Sequence, residues 1–315
     1  MPTPDYTIDL SKKPVHRWEE VAKKDKPRLK KLVDVIKGFV LSVPKPVFRI
    51  ISGFYWLRNA TYLREANAFA DVLGEPRALI QAAQLMYELV HLVDKNQFKN
   101  APRVGCTTTV GGPAGGALML MRTLDWNLPG MKDCTRVFEF INGPAGRYTG
   151  IGTVGSVGVL TALHHDGRYA IAMNDAPPIH GLRSGVAPSF QIRRTMESCT
   201  NYGDAVGYLT KPNLATAAFF AVVNPDGAAH IEHTGRLVRT QESGFLSMTN
   251  HYQLFLPKEL GLEPDENSME RFHAGLIALR SGGSRREWYQ GAPINTDITQ
   301  YRARCVPEKN LLELF

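Results

Sequence analysis

The spacing of hydrophobic positions changes near residue 105 and divides the chain into two kinds of structure. In the first hundred residues apolar side chains recur at helical spacing, which predicts helices over 18–24, 29–41, 64–73 and 76–93. Further on, short runs rich in Val, Ile, Thr and aromatic residues predict strands over 117–124, 137–141, 157–163, 169–173, 217–223, 230–232 and 245–249. Helices are predicted over 188–199, 202–210 and 267–280, and the tail after 280 is ambiguous.

This order, helices first and then strands with a few helices, indicates an α+β fold. The sequence contains no internal repeat and no long linker rich in Gly, Ser or Pro. We therefore expect residues 1–105, the front segment, to be a helical N-terminal segment, and residues 106–315, the body, to form one integrated fold. The chain has 315 residues, of which 43% are hydrophobic and 21% charged, and these values exclude a disordered protein.

Positive charge is concentrated at the start of the chain. The net charge is +7, but residues 1–64 alone carry +8, so the remainder is nearly neutral. This distribution argues against a nucleic-acid partner, because no basic surface extends over the body. No apolar run is long enough to cross a membrane, and the first residues include Asp5 and Asp9, unlike a secretory signal. We expect a cytoplasmic protein without a signal peptide or transmembrane helix.

Residues 29–58 interleave basic and apolar side chains, and this pattern has two interpretations. A peripheral membrane segment would place its apolar face in the acyl boundary and its lysines near anionic headgroups. Two ordinary helices would instead pack their apolar faces on the body. Pro44 and Pro46 interrupt the pattern and favour the second interpretation as much as the charge favours the first.

One cysteine stands where helical spacing gives way to strand spacing. The four cysteines are scattered and form no Cys-x-x-Cys pair, and His230 and His233 would face opposite sides of a strand, so we expect no disulfide framework, metal or cofactor. Cys106 follows Gly105, and no histidine lies within ten residues of it. Cleavage of the Gly105–Cys106 bond would give Cys106 a free α-amine, whose pKa near neutrality suits it to accept the thiol proton.

A charged pair sixteen residues later can be brought to Cys106 by a hairpin. Residues 106–110 and 118–125 flank a Gly-rich turn, so as antiparallel strands they would place Arg122 or Asp125 near the cysteine. Positions 122 and 125 point to opposite faces of a regular strand, so both can reach one site only if the strand bulges or ends there.

Together these residues resemble the acid ceramidase and N-acylethanolamine acid amidase group of N-terminal-nucleophile (Ntn) hydrolases, relatives of choloylglycine hydrolase. The opening Tyr-Thr-Ile-Asp-Leu-Ser, with Pro14 and Arg-Trp after it, resembles the family's propeptide start. The remaining matching motifs, in chain order, are Tyr87-Glu-Leu, Cys106-Thr-Thr-Thr-Val, Arg122-Thr-Leu-Asp-Trp, Thr249-Asn-His-Tyr and Arg271. The ordered set spans most of the chain and is more specific than any single motif.

The resemblance implies a four-layer αββα sandwich and self-cleavage between Gly105 and Cys106 into two fragments that stay associated. It implies hydrolysis of the linear amide of an N-acyl lipid, such as an N-acylethanolamine, a ceramide or an N-acyl amino acid, through a thioester on Cys106. The spacing between the Tyr-Glu-Leu helix and the cysteine is longer than expected for lysosomal members, so their acidic setting is not carried over.

The same resemblance suggests a role for each polar residue. Asp125 would hold the α-ammonium, and Arg122 would orient Asp125 or bind substrate. Asn250 is the candidate oxyanion donor, and Arg271 would close the polar network. Asn174 is either a second amide donor or a residue that caps a turn.

Two other functions remain open. A penicillin V- or bile-salt-type amidase, or an acyltransferase that passes the thioester to an amine, would use the same fold. A membrane-surface lipid-binding protein would keep the fold without cleaving.

Overall fold

A computed structural model describes residues 3–42, 45–92, 104–113, 116–211, 213–263, 265–281 and 286–315, with side chains left aside over 42–57 and at a few other positions. The front segment supplies strand β1 (Tyr6–Asp9) and helices α1 (Glu19–Lys24), α2 (Lys26–Ser42), α3 (Lys45–Leu73), α4 (Arg77–Ala83) and α5 (Met86–Leu92). The predicted helices over 18–24 and 29–41 correspond to α1 and α2, whereas the one over 64–73 covers only the last third of α3. The predicted helix over 76–93 is wrong as a single element, because it breaks between α4 and α5.

The break lets a side chain of the front segment bind the body. At the break, Gln84 donates from Nε2 to the carbonyl of Gly155 (2.7 Å) and accepts at Oε1 from the N–H of Val157 (2.9 Å). These bonds satisfy backbone groups of a loop in the body that no strand pairs. The apolar spacing could not reveal the break, since residues on both sides of it are buried.

The body contributes twelve strands and four α-helices among the described residues. The strands are β2 (Val104–Gly111), β3 (Met119–Trp126), β4 (Thr135–Ile141), β5 (Tyr148–Thr153), β6 (Thr161–His164), β7 (Tyr169–Asp175), β8 (Ala218–Val223), β9 (Ala228–His233), β10 (Val238–Ser243), β11 (Leu246–Met248), β12 (Thr299–Val306) and β13 (Leu311–Leu314). The helices are α6 (Met131–Cys134), α7 (Pro188–Ser198), α8 (Tyr202–Leu209) and α9 (Glu266–Arg280). The predicted strand over 157–163 is wrong in its first half, because β6 begins at Thr161.

The strands form two sheets between helical layers. One sheet has the order β1-β4-β5-β6-β7-β8-β9-β10 and the other the order β11-β2-β3-β12-β13. Strand β2 faces β7 across the core, α9 packs on β2 and β11, and α7 and α8 pack on the opposite sheet. The predicted α+β architecture, an αββα sandwich with a helical N-terminal segment, is confirmed.

The front segment is joined to the body by strand pairing and by buried charge. Strand β1 pairs with β4 in parallel, and Trp18 packs edge-on against Phe138 of β4. Glu65 of α3 binds Arg193 of α7 (2.5 Å), and both side chains are fully buried. Breaking a buried pair of this kind costs about 3–5 kcal/mol. The two parts of the chain therefore share one core.

Candidate active site

Strand pairing sets which residues share a face with the cysteine. In the β2–β3 pair, Gly105 lies opposite Asp125 and Cys106 opposite Leu124. Side chains alternate along a strand, so Cys106 and Arg122 share the face toward the opposite sheet, while Gly105 and Asp125 share the other. The β2–β3 register is regular, and the irregularity lies in β12, between Thr299 and Tyr301.

We call the surroundings of the Cys106 side chain the thiol site. The Sγ atom is 3.4 Å from Nη2 of Arg122. The Arg122 side chain is fully buried, and its other bonds hold the guanidinium in one position. Those bonds are donated to Met173 O (2.5 Å), Tyr301 Oη (2.6 Å), Thr161 Oγ1 (2.7 Å) and Leu160 O (2.8 Å).

Burial and nearby donors act in opposite directions on the thiol. Burial raises the pKa of Cys106, whereas the Arg122 guanidinium and the backbone N–H of Asp175 lower it by stabilising the thiolate. Burial also raises the pKa of the other three thiols, to about 11 for Cys134 and Cys199 and about 12 for Cys305. Among the four thiols, Cys106 is the one whose sulfur accepts a hydrogen bond from a guanidinium of the described residues.

The backbone of Cys106 lies beside a place where the sheet ends. Strand β11 pairs with β2 only as far as Met248, opposite Thr108, so the N–H and C=O of Cys106 have no strand partner on that side. Two side chains replace it. The N–H of Cys106 donates to Oδ1 of Asn250 (2.9 Å), and its C=O accepts from Nη1 of Arg271 (2.5 Å).

These two side chains also bind each other, and with Asp125 they form what we call the backbone site. Nη2 of Arg271 donates to Oδ1 of Asn250 (2.8 Å), and Nδ2 of Asn250 donates to the carbonyl of Asp175 (2.9 Å). An amide has two N–H groups, so Asn250 keeps one that binds no described residue. That group is available for a developing oxyanion.

Asp125 approaches the bond before Cys106 from the face opposite the thiol. A Cβ atom added to Gly105 would lie 3.5 Å from Oδ2 of Asp125 and 3.6 Å from Nη2 of Arg271. A Cβ at position 105 would thus be in ordinary van der Waals contact with this carboxylate and this guanidinium. Thr299 donates to Oδ1 of Asp125 (2.5 Å). Burial raises the pKa of Asp125, against the lowering effect of Thr299 and the two arginines.

Asn174 belongs to strand β7 and does not cap a turn. Its Nδ2 donates to the carbonyls of Met248 (2.9 Å) and Thr249 (3.2 Å), and its Oδ1 accepts from Thr108 (2.7 Å). Both amide N–H groups are thus bound to backbone. Asn174 thus connects β7 to both β11 and β2 through hydrogen bonds.

Four residues around the cysteine lie outside the set that sequence reasoning selected. Thr299 and Tyr301 belong to β12, in the part of the tail that was ambiguous, although its alternation of buried and half-buried residues is typical of a strand. His91 and Asp175 bind each other through Nε2 and Oδ1 (2.7 Å). His91 lies fifteen residues before Cys106, so a search of the ten neighbouring residues missed it.

An apolar cavity opens beside the thiol. Cys106, Arg122 and Asp175 are among the residues that line it, and its volume is about 90 Å³. Both the front segment and the body line it. The apolar part of its wall includes Leu32, Ile36, Phe69, Leu124, Trp126 and Met131.

The structure describes half of the segment that could meet a membrane. In α2 the apolar side chains of Leu29, Leu32 and Ile36 are buried, whereas Lys30 and Lys31 are exposed. The side chains over 42–57 lie outside the described residues. Within the described ranges, no helix combines the length and hydrophobicity needed to span a bilayer.

Comparisons with known proteins find relatives over part of the chain. Residues 2–57 match the model for the beta subunit of N-acylethanolamine-hydrolyzing acid amidase. An uncharacterized protein of Acanthamoeba polyphaga mimivirus is 29% identical over 65% of this chain and 60% of its own length. Mouse (Mus musculus) acid ceramidase is 25% identical over 70% of this chain and 60% of its own length. The chain thus spans about three fifths of these relatives.

A solved structure shares the fold. The Caenorhabditis elegans ortholog of N-acylethanolamine-hydrolyzing acid amidase superposes with a TM-score of 0.50 at 20% identity, over 64% of this chain and 93% of that one. The predicted Ntn-hydrolase fold is confirmed by this match.

Proposed function

We propose that this chain, an acid ceramidase- and N-acylethanolamine acid amidase-like Ntn hydrolase, cleaves the linear amide bond of N-acyl lipids after processing itself at Cys106. One observation carries the proposal. The thiol of Cys106 accepts from Arg122 in the wall of an apolar cavity, while the backbone nitrogen of the same residue is bound by Asn250. The sulfur atom that acts as nucleophile and the nitrogen that becomes the base are thus bound by two different sets of polar groups.

In self-processing, Sγ of Cys106 attacks the carbonyl carbon of Gly105. The Gly105–Cys106 amide bond breaks, its nitrogen takes a proton and becomes the α-amine, and the Gly105 acyl group is left as a thioester on sulfur. Water then hydrolyses the thioester and releases a carboxylate on Gly105 and a free thiol. The contact between Asn250 and the Cys106 nitrogen supports this step, because it orients the bond that breaks.

In amide hydrolysis the α-amine of Cys106 accepts the thiol proton, and sulfur attacks the substrate carbonyl. The free N–H of Asn250 stabilises the oxyanion, and the ammonium returns its proton to the leaving amine. The α-amine next activates water, which hydrolyses the thioester. Asp125, held by Thr299, stabilises the ammonium form, while the nearby Arg271 guanidinium favours the neutral amine that acts as base.

The cavity supports an acyl chain as the group that the site accepts. Its wall is largely aliphatic and aromatic, so a hydrocarbon chain gains about 0.8 kcal/mol for each buried CH₂ group. Residues 29–36 of the front segment form part of that wall. We therefore propose that the two fragments stay associated after cleavage and bind substrate together, joined by β1 and by the buried pair of Glu65 and Arg193.

We also propose a peripheral membrane contact through the outer face of α2. Lys26, Lys30 and Lys31 are exposed on this helix, and Leu41 near its end is 69% exposed. Such a surface suits anionic headgroups next to a cavity that receives lipid. Sedimentation with anionic vesicles should decrease in a Lys30→Glu/Lys31→Glu variant, and equal binding to neutral vesicles would contradict an electrostatic contact.

Intact mass of the denatured protein after incubation between pH 4.5 and 8 tests the proposed function. Cleavage of the 35.0 kDa chain after residue 105 of 315 gives pieces of about 12 and 23 kDa. We expect both in the parent chain and in the matched control Cys134→Ala, and neither in Cys106→Ala. Processed protein should then release fatty acid from N-acylethanolamines, ceramides or N-acyl amino acids.

The alternatives give different results in the same experiment. Transfer of the acyl group to added hydroxylamine or another amine in preference to water would indicate an acyltransferase. An uncleaved 35.0 kDa chain at every pH, with lipid binding unchanged in Cys106→Ala, would overturn the proposal in favour of a lipid-binding protein.

A further inference from the structure

One end of strand β7 contacts every part of the candidate site. We call Met173, Asn174 and Asp175 the β7 end. The carbonyl of Met173 accepts from Arg122, and Asn174 binds Thr108. The carbonyl of Asp175 accepts from Asn250, and Asp175 lines the cavity together with Cys106. The position of this short segment therefore fixes both Arg122, which donates to the thiol, and the orientation of the candidate oxyanion amide.

Helix α5 of the front segment holds the β7 end from outside. Nε2 of His91 lies 2.7 Å from Oδ1 of Asp175, and Nδ1 lies 3.0 Å from Oγ1 of Thr216. A carboxylate can only accept, so Nε2 carries the hydrogen of this bond. The His91 side chain is only 4% exposed. Its hydrogen bond to Asp175 is therefore shielded from water, and removing His91 would leave the Asp175 carboxylate without this donor.

A second side chain on the same face of α5 strengthens this attachment. Tyr87 lies one helical turn before His91, and the two rings are in contact. The Tyr87 hydroxyl donates to the carbonyl of Ala217 (2.8 Å) and accepts from the N–H of Ala176 (3.3 Å). Helix α5 thus binds the end of β7 and the start of β8. Cleavage before Cys106 would leave these contacts between the two fragments.

We propose that His91 is a positioning residue for the Cys106 nucleophile. It holds Asp175 so that the Asp175 carbonyl orients Asn250 and the neighbouring Met173 carbonyl keeps Arg122 against sulfur. The role follows from contacts alone, because His91 itself touches neither sulfur nor the cavity. The proposal deepens the proposed function and rests on it, since it gives the front segment a part in the reaction beyond lining the cavity.

The test uses the full chain and two readouts, one of which needs no substrate. Alkylation of Cys106 by N-ethylmaleimide, followed by mass mapping, reports how well the thiolate is stabilised. In His91→Leu we expect this rate and kcat for amide hydrolysis to fall about tenfold, with KM changed less than twofold. In His91→Gln, whose amide can still donate to Asp175, we expect most of both to return.

Two controls separate positioning from general damage. Thr216→Val keeps the bond between His91 and Asp175, so its effect should lie between the parent and His91→Leu. His164→Leu removes another buried histidine, which stacks on Tyr169 at the other end of β7, and should leave both readouts unchanged in folded protein.

The outcomes distinguish this proposal from the proposed function. Slower alkylation in His91→Leu supports positioning even if no amide is hydrolysed. A parent rate of alkylation, or equal losses in His91→Leu and His91→Gln, overturns it even if hydrolysis is confirmed. If His91→Leu does not fold, Thr216→Val decides the question: slower alkylation than in the parent supports positioning, and a parent rate overturns it.

Discussion

The thiol site and the backbone site lie within one residue of each other, yet they are built in opposite ways. At the thiol site a single guanidinium is bound on nearly every side, and its position cannot adjust. At the backbone site Asn250 and Arg271 occupy a gap that β11 leaves when it ends, and one N–H group of Asn250 binds none of the described residues. The thiol site therefore holds the sulfur atom in one position. The backbone site has side chains that can act first in self-processing and then in amide hydrolysis.

This difference indicates how one residue could act both as nucleophile and as base. Sulfur has the same task in self-processing and in substrate hydrolysis, so a rigid thiol site suits both. The Cys106 nitrogen changes from an amide to an amine, and side chains can accommodate that change where a paired strand could not. The substitutions of Arg122, Asp125 and Thr299 described below each disturb one of the two sites, and their effects on both sites are measured.

Arg122→Lys should have the largest effect, because it keeps the charge but loses the forked geometry that binds five acceptors. We expect amide hydrolysis to fall about 10²–10³-fold, since thiolate stabilisation and the position of the β7 end are lost together. Cys106 alkylation should fall about tenfold. Both rates are compared with those of Arg147→Lys, an exposed arginine on the body. Parent-like alkylation in Arg122→Lys would show that the guanidinium does not stabilise the thiolate.

Asp125→Asn should separate the two sites. The amide cannot balance the α-ammonium, so we expect hydrolysis to fall about 10²-fold, while alkylation of the thiol on the other face changes less than threefold. Self-processing is measured in parallel by intact mass. Asp133→Asn, an exposed carboxyl on α6, is the matched control. A loss of alkylation as large as the loss of hydrolysis would mean that the two sites act as one.

Much of this arrangement could be predicted from the sequence. Helical spacing in the front segment, strands in the body and the hairpin that brings residues 106–111 next to 119–126 follow from local patterns. The alternation of side chains along a strand also predicts that Arg122 and Asp125 point to opposite faces, which raises the question of how both could reach Cys106. The structure answers it without a bulge in β3: the two residues stay on opposite faces and approach different parts of Cys106.

The rest depends on pairings between distant parts of the chain. Thr299 reaches Asp125 because β12 pairs with β3 across 174 positions, and His91 reaches Asp175 because α5 packs at a strand end. No local pattern around Cys106 contains these residues. The amide of Asn174 illustrates the converse: its residue type suggested a donor, but only the packing of β7 against β11 and β2 of the other sheet shows that both its N–H groups are bound to backbone.

Thr299→Val tests the support of the backbone site and should have a smaller effect. The substitution keeps the shape of the side chain and removes the bond to Oδ1 of Asp125. We expect hydrolysis to fall about three- to tenfold, because the carboxylate loses a donor but remains in place. Alkylation of Cys106 should be unchanged. A larger loss than that of Asp125→Asn would contradict a supporting role.

Glu88 is a buried carboxylic acid outside both sites, and it can be compared with Asp125. Like Asp125 it is buried with a raised pKa, but its Oε1 atom binds no described residue, and burial alone raises its pKa to about 8. Between its ordinary value near 4.5 and about 8, the folded chain keeps a proton that the unfolded chain has lost. Stability therefore falls as pH rises through this range.

Glu88→Gln should remove that dependence without changing either rate. Urea unfolding in the uncleaved Cys106→Ala background should give nearly equal free energies with and without the substitution at pH 5. At pH 8.5 the substituted chain should be more stable by about 2–4 kcal/mol, since each unit of pKa shift corresponds to about 1.4 kcal/mol. Substrate hydrolysis by processed Glu88→Gln should match the parent. A fall in hydrolysis would instead give this carboxyl a part in the site, and α5 would then contribute chemistry as well as position.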